Sequence, residues 1–265
     1  MISNCIFKKT KTMQNINNKN TKVLIFGSAN CEMTQKAIRF LKSQHCEVTE
    51  YLTGYTPTAN KQSLLTEEVR NWYGDYIICF KTLFLVPQWL LDRANITSIN
   101  FHPAPVEHPG RGCINFAIYE RRPTYGVTAH LVDSGIDSGQ ILECRRFPIF
   151  KNDDFNSIFD RAQAKMMDQF FDIITGVLNG GKTYLNNMIE SAKHEKWNGE
   201  HRRIAQLNEM LTVDQNTSKE ELEKVIHASD LANKPPVTYI YGYEFIYNAN
   251  SKKNIEAFDS AKKDF

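Results

Sequence analysis

The segment that most limits how this chain can fold is Lys22-Val-Leu-Ile-Phe-Gly27, a short apolar run closed by glycine that reads as a buried strand. Met33, Ala37, Ile38 and Leu41 follow at helical spacing, and a second strand is predicted over Glu47–Leu52. A strand, a helix and a strand in that order close as a right-handed crossover, which commits the chain to an α/β architecture with a mostly parallel sheet. Asp75–Phe80 and Ile96–Phe101 are two further strands, with a helical turn or two at Pro87–Arg93 between them. Residues 56–62 read as loop. Between Phe150 and Leu178 a long helix is predicted, because Phe155, Ile158, Ala162, Met166, Phe170 and Ile173 repeat with its period.

Past about residue 190 the composition turns polar. Ser218-Lys-Glu-Glu221 is a capping box that opens a helix through Ala228. Pro235-Pro236 breaks the chain, and Val237–Tyr241 with Glu244–Tyr247 around Gly242 reads as a β-hairpin. The expected organisation is a flexible tail over residues 1–20, a main domain over 21–190 and a small C-terminal helix-plus-hairpin region over 191–265. The Asn- and Lys-rich first 20 residues lack the apolar core of a signal peptide. No apolar run approaches a membrane span, so no membrane association is expected. With 32 Lys and Arg against 30 Asp and Glu, the net charge of +2 gives no pull toward nucleic acid. Six scattered cysteines (5, 31, 46, 79, 113 and 144) include no close pair. They fit neither the usual zinc spacings nor a disulfide framework, so reduced thiols, a cytoplasmic location and no metal are expected. Gly27 is followed by Ser-Ala-Asn-Cys-Glu, so the glycine fingerprint of an ordinary dinucleotide site is missing.

The chemistry-bearing stretch is Ser98-Ile-Asn-Phe-His-Pro-Ala-Pro-Val-Glu-His-Pro-Gly-Arg-Gly112. Strand side chains alternate, so Asn100 and His102 project to one face, and Pro103 ends the ladder beyond them. A further apolar run, Tyr125–Val132, leads to Asp133-Ser-Gly-Ile-Asp137-Ser-Gly-Gln-Ile-Leu142. An amide donor, an imidazole and a carboxylate are the minimum set for moving an acyl group onto an amine. Each alone is more often structural, since Asp-x-Gly is ordinary turn chemistry. Asp133-Ser-Gly135 repeats the three-residue word of Asp137, so the two aspartates compete. His130, inside its strand, reads as a packed histidine with a satisfied ring. His108 reads as a substrate-side contact.

Asn100-Phe-His102-Pro, Arg111-Gly112, Gly126-Val-Thr-Ala-His130 and Asp137-Ser-Gly139-Gln-Ile141 together resemble the folate-dependent formyltransferase family. The resemblance covers residues 22–180 in layout and is sharp over 98–142. It implies the Rossmann-like formyltransferase fold for residues 21–190 and 10-formyltetrahydrofolate as co-substrate. It implies Asn100, His102 and Asp137 as the catalytic trio, with Asp137 favoured over Asp133 because Gly-x-Ile-Leu follows it. It further implies a folate site involving Phe80, Leu83, Phe84, Leu85, Asp133 and Ile136, and a substrate side with His108, Arg111 and Gly112. The amine attacks directly, so no Ser or Cys nucleophile is required. From residue 191 onward 11 Lys and Arg face 12 Asp and Glu, which does not suit a tRNA-holding module. The expected acceptor is therefore a nucleotide-linked amino sugar, of the 4-amino-4,6-dideoxyhexose type, and by analogy a homodimer is expected. A methionyl-tRNA formyltransferase, a non-catalytic folate or nucleotide module and a nicotinamide oxidoreductase are the competing readings.

Overall fold

The computed structural model describes residues 21–54 and 61–249; the expected tail over 1–20 and loop residues 56–60 lie outside them. β1 (Lys22–Ser28), α1 (Glu32–Ser43) and β2 (Glu47–Thr53) form the opening crossover with parallel strands. β3 (Gly74–Phe80) pairs with the other side of β1, and β4 (Ala94–His102) adds parallel to β3. β5 (Thr124–Leu131) and β6 (Ile141–Pro148) complete the sheet antiparallel, in the order β2-β1-β3-β4-β5-β6. The sequence pattern does not announce β6, because Glu143, Arg145 and Arg146 on this edge strand interrupt any apolar alternation.

Both faces of the first strands are buried, which is why they read as continuous apolar runs. Val23 and Ile25 of β1, with Tyr76, Ile78 and Phe80 of β3, face one core; Leu24, Phe26, Ile77 and Cys79 face the other. The first core lies under α1 and α5 (Phe155–Ser191). The second is closed by the short helices α2 (Glu67–Arg70) and α3 (Gln88–Leu91) together with Trp72.

The long helix differs from expectation at both ends. It starts at Phe155, not Phe150, because Asp154 accepts the Ser157 N–H at 2.8 Å while the Ser157 hydroxyl accepts the Asp154 N–H at 2.9 Å. It runs to Ser191, well beyond Leu178, through a break at Gly181, because Tyr184 and Leu185 go on packing against the same core. After β4, α4 (Cys113–Tyr119) packs with α6 (Ile204–Met210) and α7 (Lys219–Ala228) around Phe116, Leu207 and Val225. Ser218 caps α7 by accepting the Glu221 N–H at 3.1 Å. β7 (Val237–Ile240) and β8 (Tyr243–Ile246) pair antiparallel across Tyr241-Gly242, both at positive φ as a two-residue hairpin turn requires. Among the described residues, no helix is long and apolar enough to cross a membrane.

Candidate active site

On the α2/α3 side of the sheet, β1 and β3 present Leu24, Phe26, Ile77 and Cys79. Ile99 and Phe101 of β4 take the opposite side, as do Val127 and Ala129 of β5. Strand alternation therefore sends Ser98, Asn100, His102, Thr128 and His130 to the same side as that second core. The antiparallel register places Asn100 opposite His130 and His102 opposite Thr128. One face thus changes from apolar to polar at the carboxyl end of β4, the end at which open α/β sheets bind ligands.

The loop after β5 returns a carboxylate to this polar patch. Asp137 sits at φ 46°, a left-handed conformation that aspartate tolerates better than most residues, and its side chain enters the cluster. Its Oδ1 lies 3.4 Å from His102 Nδ1 and 3.6 Å from His130 Nε2. Its Oδ2 accepts the Gly110 N–H at 2.9 Å. Gly110 has φ 92°, and a Cβ there would lie 2.3 Å from the Arg202 carbonyl, so no other residue fits this turn. The Asn100 side-chain amide and His130 Nε2 are 2.9 Å apart, and His130 Nδ1 is 2.8 Å from the Leu131 carbonyl. A ring nitrogen facing a carbonyl must carry hydrogen, so His130 donates from Nδ1 and accepts the Asn100 amide at Nε2. By the same rule His102 donates from Nε2 to the His108 carbonyl at 3.0 Å, leaving Nδ1 toward Asp137.

Only 6% of the His102 side chain and 9% of that of Asp137 is exposed, so their charges act on each other with little screening by water. Burial alone pushes the Asp137 carboxyl up. The His102 ring and the Gly110 N–H more than offset this and hold it well below the usual carboxylate range. Asp137 is thus a resident anion at neutral pH. An amide donor, an imidazole with an anion behind it and a second fixed imidazole can stabilise a developing oxyanion and carry a proton. Among the described residues, no group of three or more His, Cys, Asp or Glu side chains is placed to hold a metal ion.

Several expected site residues lie elsewhere. Asp133 is turned onto its own loop, accepting from Gly135 N and Ser138 Oγ at 3.0 and 2.7 Å, which leaves Asp137 as the aspartate at the rings. Phe80 is fully buried in the first core against Phe101 and Phe170, so it does not line a folate cleft. Phe84 is likewise core, its ring stacked on Phe26 with centroids 5.0 Å apart. Leu83 is half-buried, and Leu85 and Ile136 are exposed, so these three keep a surface to offer. The His108 ring is buried beside Tyr125, and burial lowers its pKa to about 4. It offers the site its backbone carbonyl and no substrate-facing ring. Gly112, at φ 72°, starts α4 under Phe116 and Leu207, a structural duty; Arg111 is half-buried, its N–H donated to the Arg202 carbonyl at 2.9 Å.

His130 belongs to the cluster and is more than a packed strand histidine. Its ring is satisfied, as a packed strand histidine should be, yet its partners are Asn100 and Asp137. The signal available was the antiparallel pairing of its strand with the one bearing Asn100. Trp197, from the C-terminal region, also reaches the cluster, its ring 5.1 Å from that of His130 and 5.9 Å from that of His102. Nothing near it in sequence points there.

The formyl transferase family profile matches residues 6–174. A methionyl-tRNA formyltransferase of Pelobacter propionicus is 26% identical over 125 residues, 47% of this chain and 39% of that protein. This chain thus spans about two fifths of the length of such relatives. Among solved structures, a sugar N-formyltransferase from a Shewanella species superposes with a TM-score of 0.65 at 16% identity, over 86% of this chain and 96% of that one. A formyltransferase from Anoxybacillus kamchatkensis, solved with UDP-4,6-dideoxy-4-formamido-L-AltNAc and tetrahydrofolate, gives 0.50 at 24% identity over 61% of this chain and 78% of that one. With the profile spanning more than half of its residues and the Asn100–His102–Asp137 cluster inside the matched stretch, the chain belongs to the formyl transferase family.

Proposed function

We propose that this protein transfers a formyl group from 10-formyltetrahydrofolate to the primary amine of a nucleoside-diphosphate-linked amino sugar. The amine lone pair attacks the formyl carbon, and a C–N bond forms as the carbonyl oxygen becomes an oxyanion. The Asn100 amide is the donor for that oxyanion, and the His102–Asp137 pair accepts the amine proton. The bond to folate N10 then breaks with its electron pair, N10 takes up a proton, and the products are a formamide and tetrahydrofolate.

The observation that carries the reaction type is the convergence of Asn100, His102, His130 and Asp137 on one largely buried patch at the carboxyl end of β4. A folate ring needs apolar contact on its faces, and Leu83, Leu85 and Ile136 offer it from two loops. Val86 and Val132, at the roots of these loops, both pack on the second core.

For the acceptor, the extent of the fold match supports the sugar reading. The Shewanella sugar N-formyltransferase matches in fold over 96% of its length and 86% of this chain. The C-terminal region has no excess of basic residues with which to hold tRNA phosphates. We place the protein in the cytoplasm, its product serving glycan synthesis. The hairpin leaves Tyr239, Tyr241, Tyr243 and Phe245 more than half exposed, and a two-stranded hairpin is marginal alone. Pairing with the hairpin of a second copy would cover it, so we place the homodimer contact there.

Incubation with 10-formyltetrahydrofolate and a panel of nucleotide-linked amino sugars, with methionyl-tRNA as a separate arm, tests the assignment. Formamido-sugar formation is the expected result. Turnover with methionyl-tRNA alone would overturn the acceptor, and no transfer to any amine would overturn the function.

A further inference from the structure

We infer that Trp197 is a positioning residue of the formyl-transfer centre, holding the His102 and His130 rings in register with Asp137. This rests on the proposed function for its kinetic consequence, but the geometry stands by itself. Trp197 meets both rings edge-to-face, with interplanar angles of 89° to His130 and 69° to His102. Its indole N–H donates to the Gly139 carbonyl at 2.9 Å, in the same loop that carries Asp137. One side chain therefore touches both imidazoles and is tied to the carboxylate's loop.

The segment bearing Trp197 is held to the opposite wall of the site as well. Asn198 N donates to the Val106 carbonyl at 3.4 Å and Arg202 N to the Pro109 carbonyl at 3.3 Å; Arg111 N donates to the Arg202 carbonyl at 2.9 Å. A Cβ at Gly199 would lie 1.8 Å from the Glu107 carbonyl, so the two backbones touch at the residue that only glycine allows. Arg202 anchors the far end on Glu120 and over the Phe116 ring at 3.8 Å. The wall so braced includes Gly110, whose N–H holds Asp137 Oδ2, and His108, whose carbonyl holds His102 Nε2. Trp197 lies outside residues 6–174, so this brace comes from chain that the family profile does not cover. It is half-buried in a small apolar cluster with Val106, Ile141 and Ala192, separate from both main cores.

Trp197→Ala, Trp197→Phe and a control, Val225→Ala in the α4/α6/α7 cluster, form the test. With whichever amine turns over, Trp197→Ala is expected to lower kcat by about ten- to a hundredfold, the scale of a small misplacement of reacting groups. KM for folate and amine should stay within about twofold, since no substrate contact is removed. Trp197→Phe, which keeps a ring, should recover most of the rate, and Val225→Ala should lose stability without losing kcat in the folded fraction. The ligand-free protein gives a second readout. Its three tryptophans yield three indole N–H signals in a ¹⁵N spectrum, and the one missing in Trp197→Phe should be the one that moves in His102→Asn. Unchanged kcat in Trp197→Ala, or a loss no larger than its unfolded fraction explains, overturns the inference. So does an indole signal indifferent to His102→Asn. If no amine turns over, the proposed function fails, and the indole comparison still decides whether Trp197 is coupled to the ring.

Discussion

Replacing Asp137 by Asn removes the negative charge between two imidazoles while leaving an oxygen to accept the Gly110 N–H. At 3.4 Å from His102 Nδ1, that charge would hold a proton taken up by the ring with about 5 kcal/mol at an effective dielectric near 20, before its own desolvation is subtracted. Breaking such a buried pair should cost the fold ~3 kcal/mol at neutral pH. The pH dependence has a definite sign. The folded-state pKa of Asp137 is depressed, so its contribution is fully present above the unfolded carboxylate value of about 3.9 and is lost as pH falls toward the depressed value. The gap between wild type and Asp137→Asn in urea-unfolding free energy should therefore be widest at pH 7 and narrow below about pH 4. At pH 7, formyl transfer should fall by about 10²- to 10⁴-fold, the range for loss of a proton-transfer partner. A gap that stays constant from pH 7 to pH 3 would refute the electrostatic reasoning. Near-normal turnover in folded Asp137→Asn would remove the residue from the chemistry.

Removal of the His130 ring (His130→Ala) strips Asn100 of its acceptor, and kcat should fall by roughly ten- to a thousandfold at unchanged folate KM; a rate within about twofold of wild type would make the ring packing alone. Phe84→Ala should cost ~3–5 kcal/mol of stability, measured by chemical denaturation, with little change in folate affinity, because the ring is stacked in the second core. A large loss of folate binding with stability intact would restore Phe84 to the cleft. Tyr243→Lys with Phe245→Lys should convert a dimer to a monomer in sedimentation without loss of fold, whereas an unchanged sedimentation coefficient would locate the dimer contact elsewhere or exclude it.

The strands and their face preferences were legible because alternation is a backbone property. Asn100 and His102 share a side whatever surrounds them, and Ile99 and Phe101 between them declare which side is core. Legibility failed where tertiary context decides. Phe80 and Phe84 lie in the stretch expected to hold folate, but their rings turn into opposite cores, a choice set by ring neighbours distant in sequence: Phe101 and Phe170 for Phe80, Phe26 and Tyr51 for Phe84. Asp133 and Asp137 carry the same local word. Only the folded loop, with Asp133 closing its own turn and Asp137 at positive φ, separates them. His108 reads as a substrate-side contact because it is a loop histidine, whereas the cluster uses its carbonyl. Trp197 acts across a contact between the C-terminal region and a loop nearly a hundred residues earlier, and no local pattern encodes that.

A crystal structure with 5-formyltetrahydrofolate bound, a stable analogue of the formyl donor, addresses the proposed chemistry most directly. The folate ring is expected against Leu85 and Ile136, with the formyl-bearing end within hydrogen-bond reach of the Asn100 amide and beside the His102 ring. Folate bound elsewhere, with Asn100 and His102 clear of it, would contradict the assignment of this cluster as the place where the formyl group changes hands.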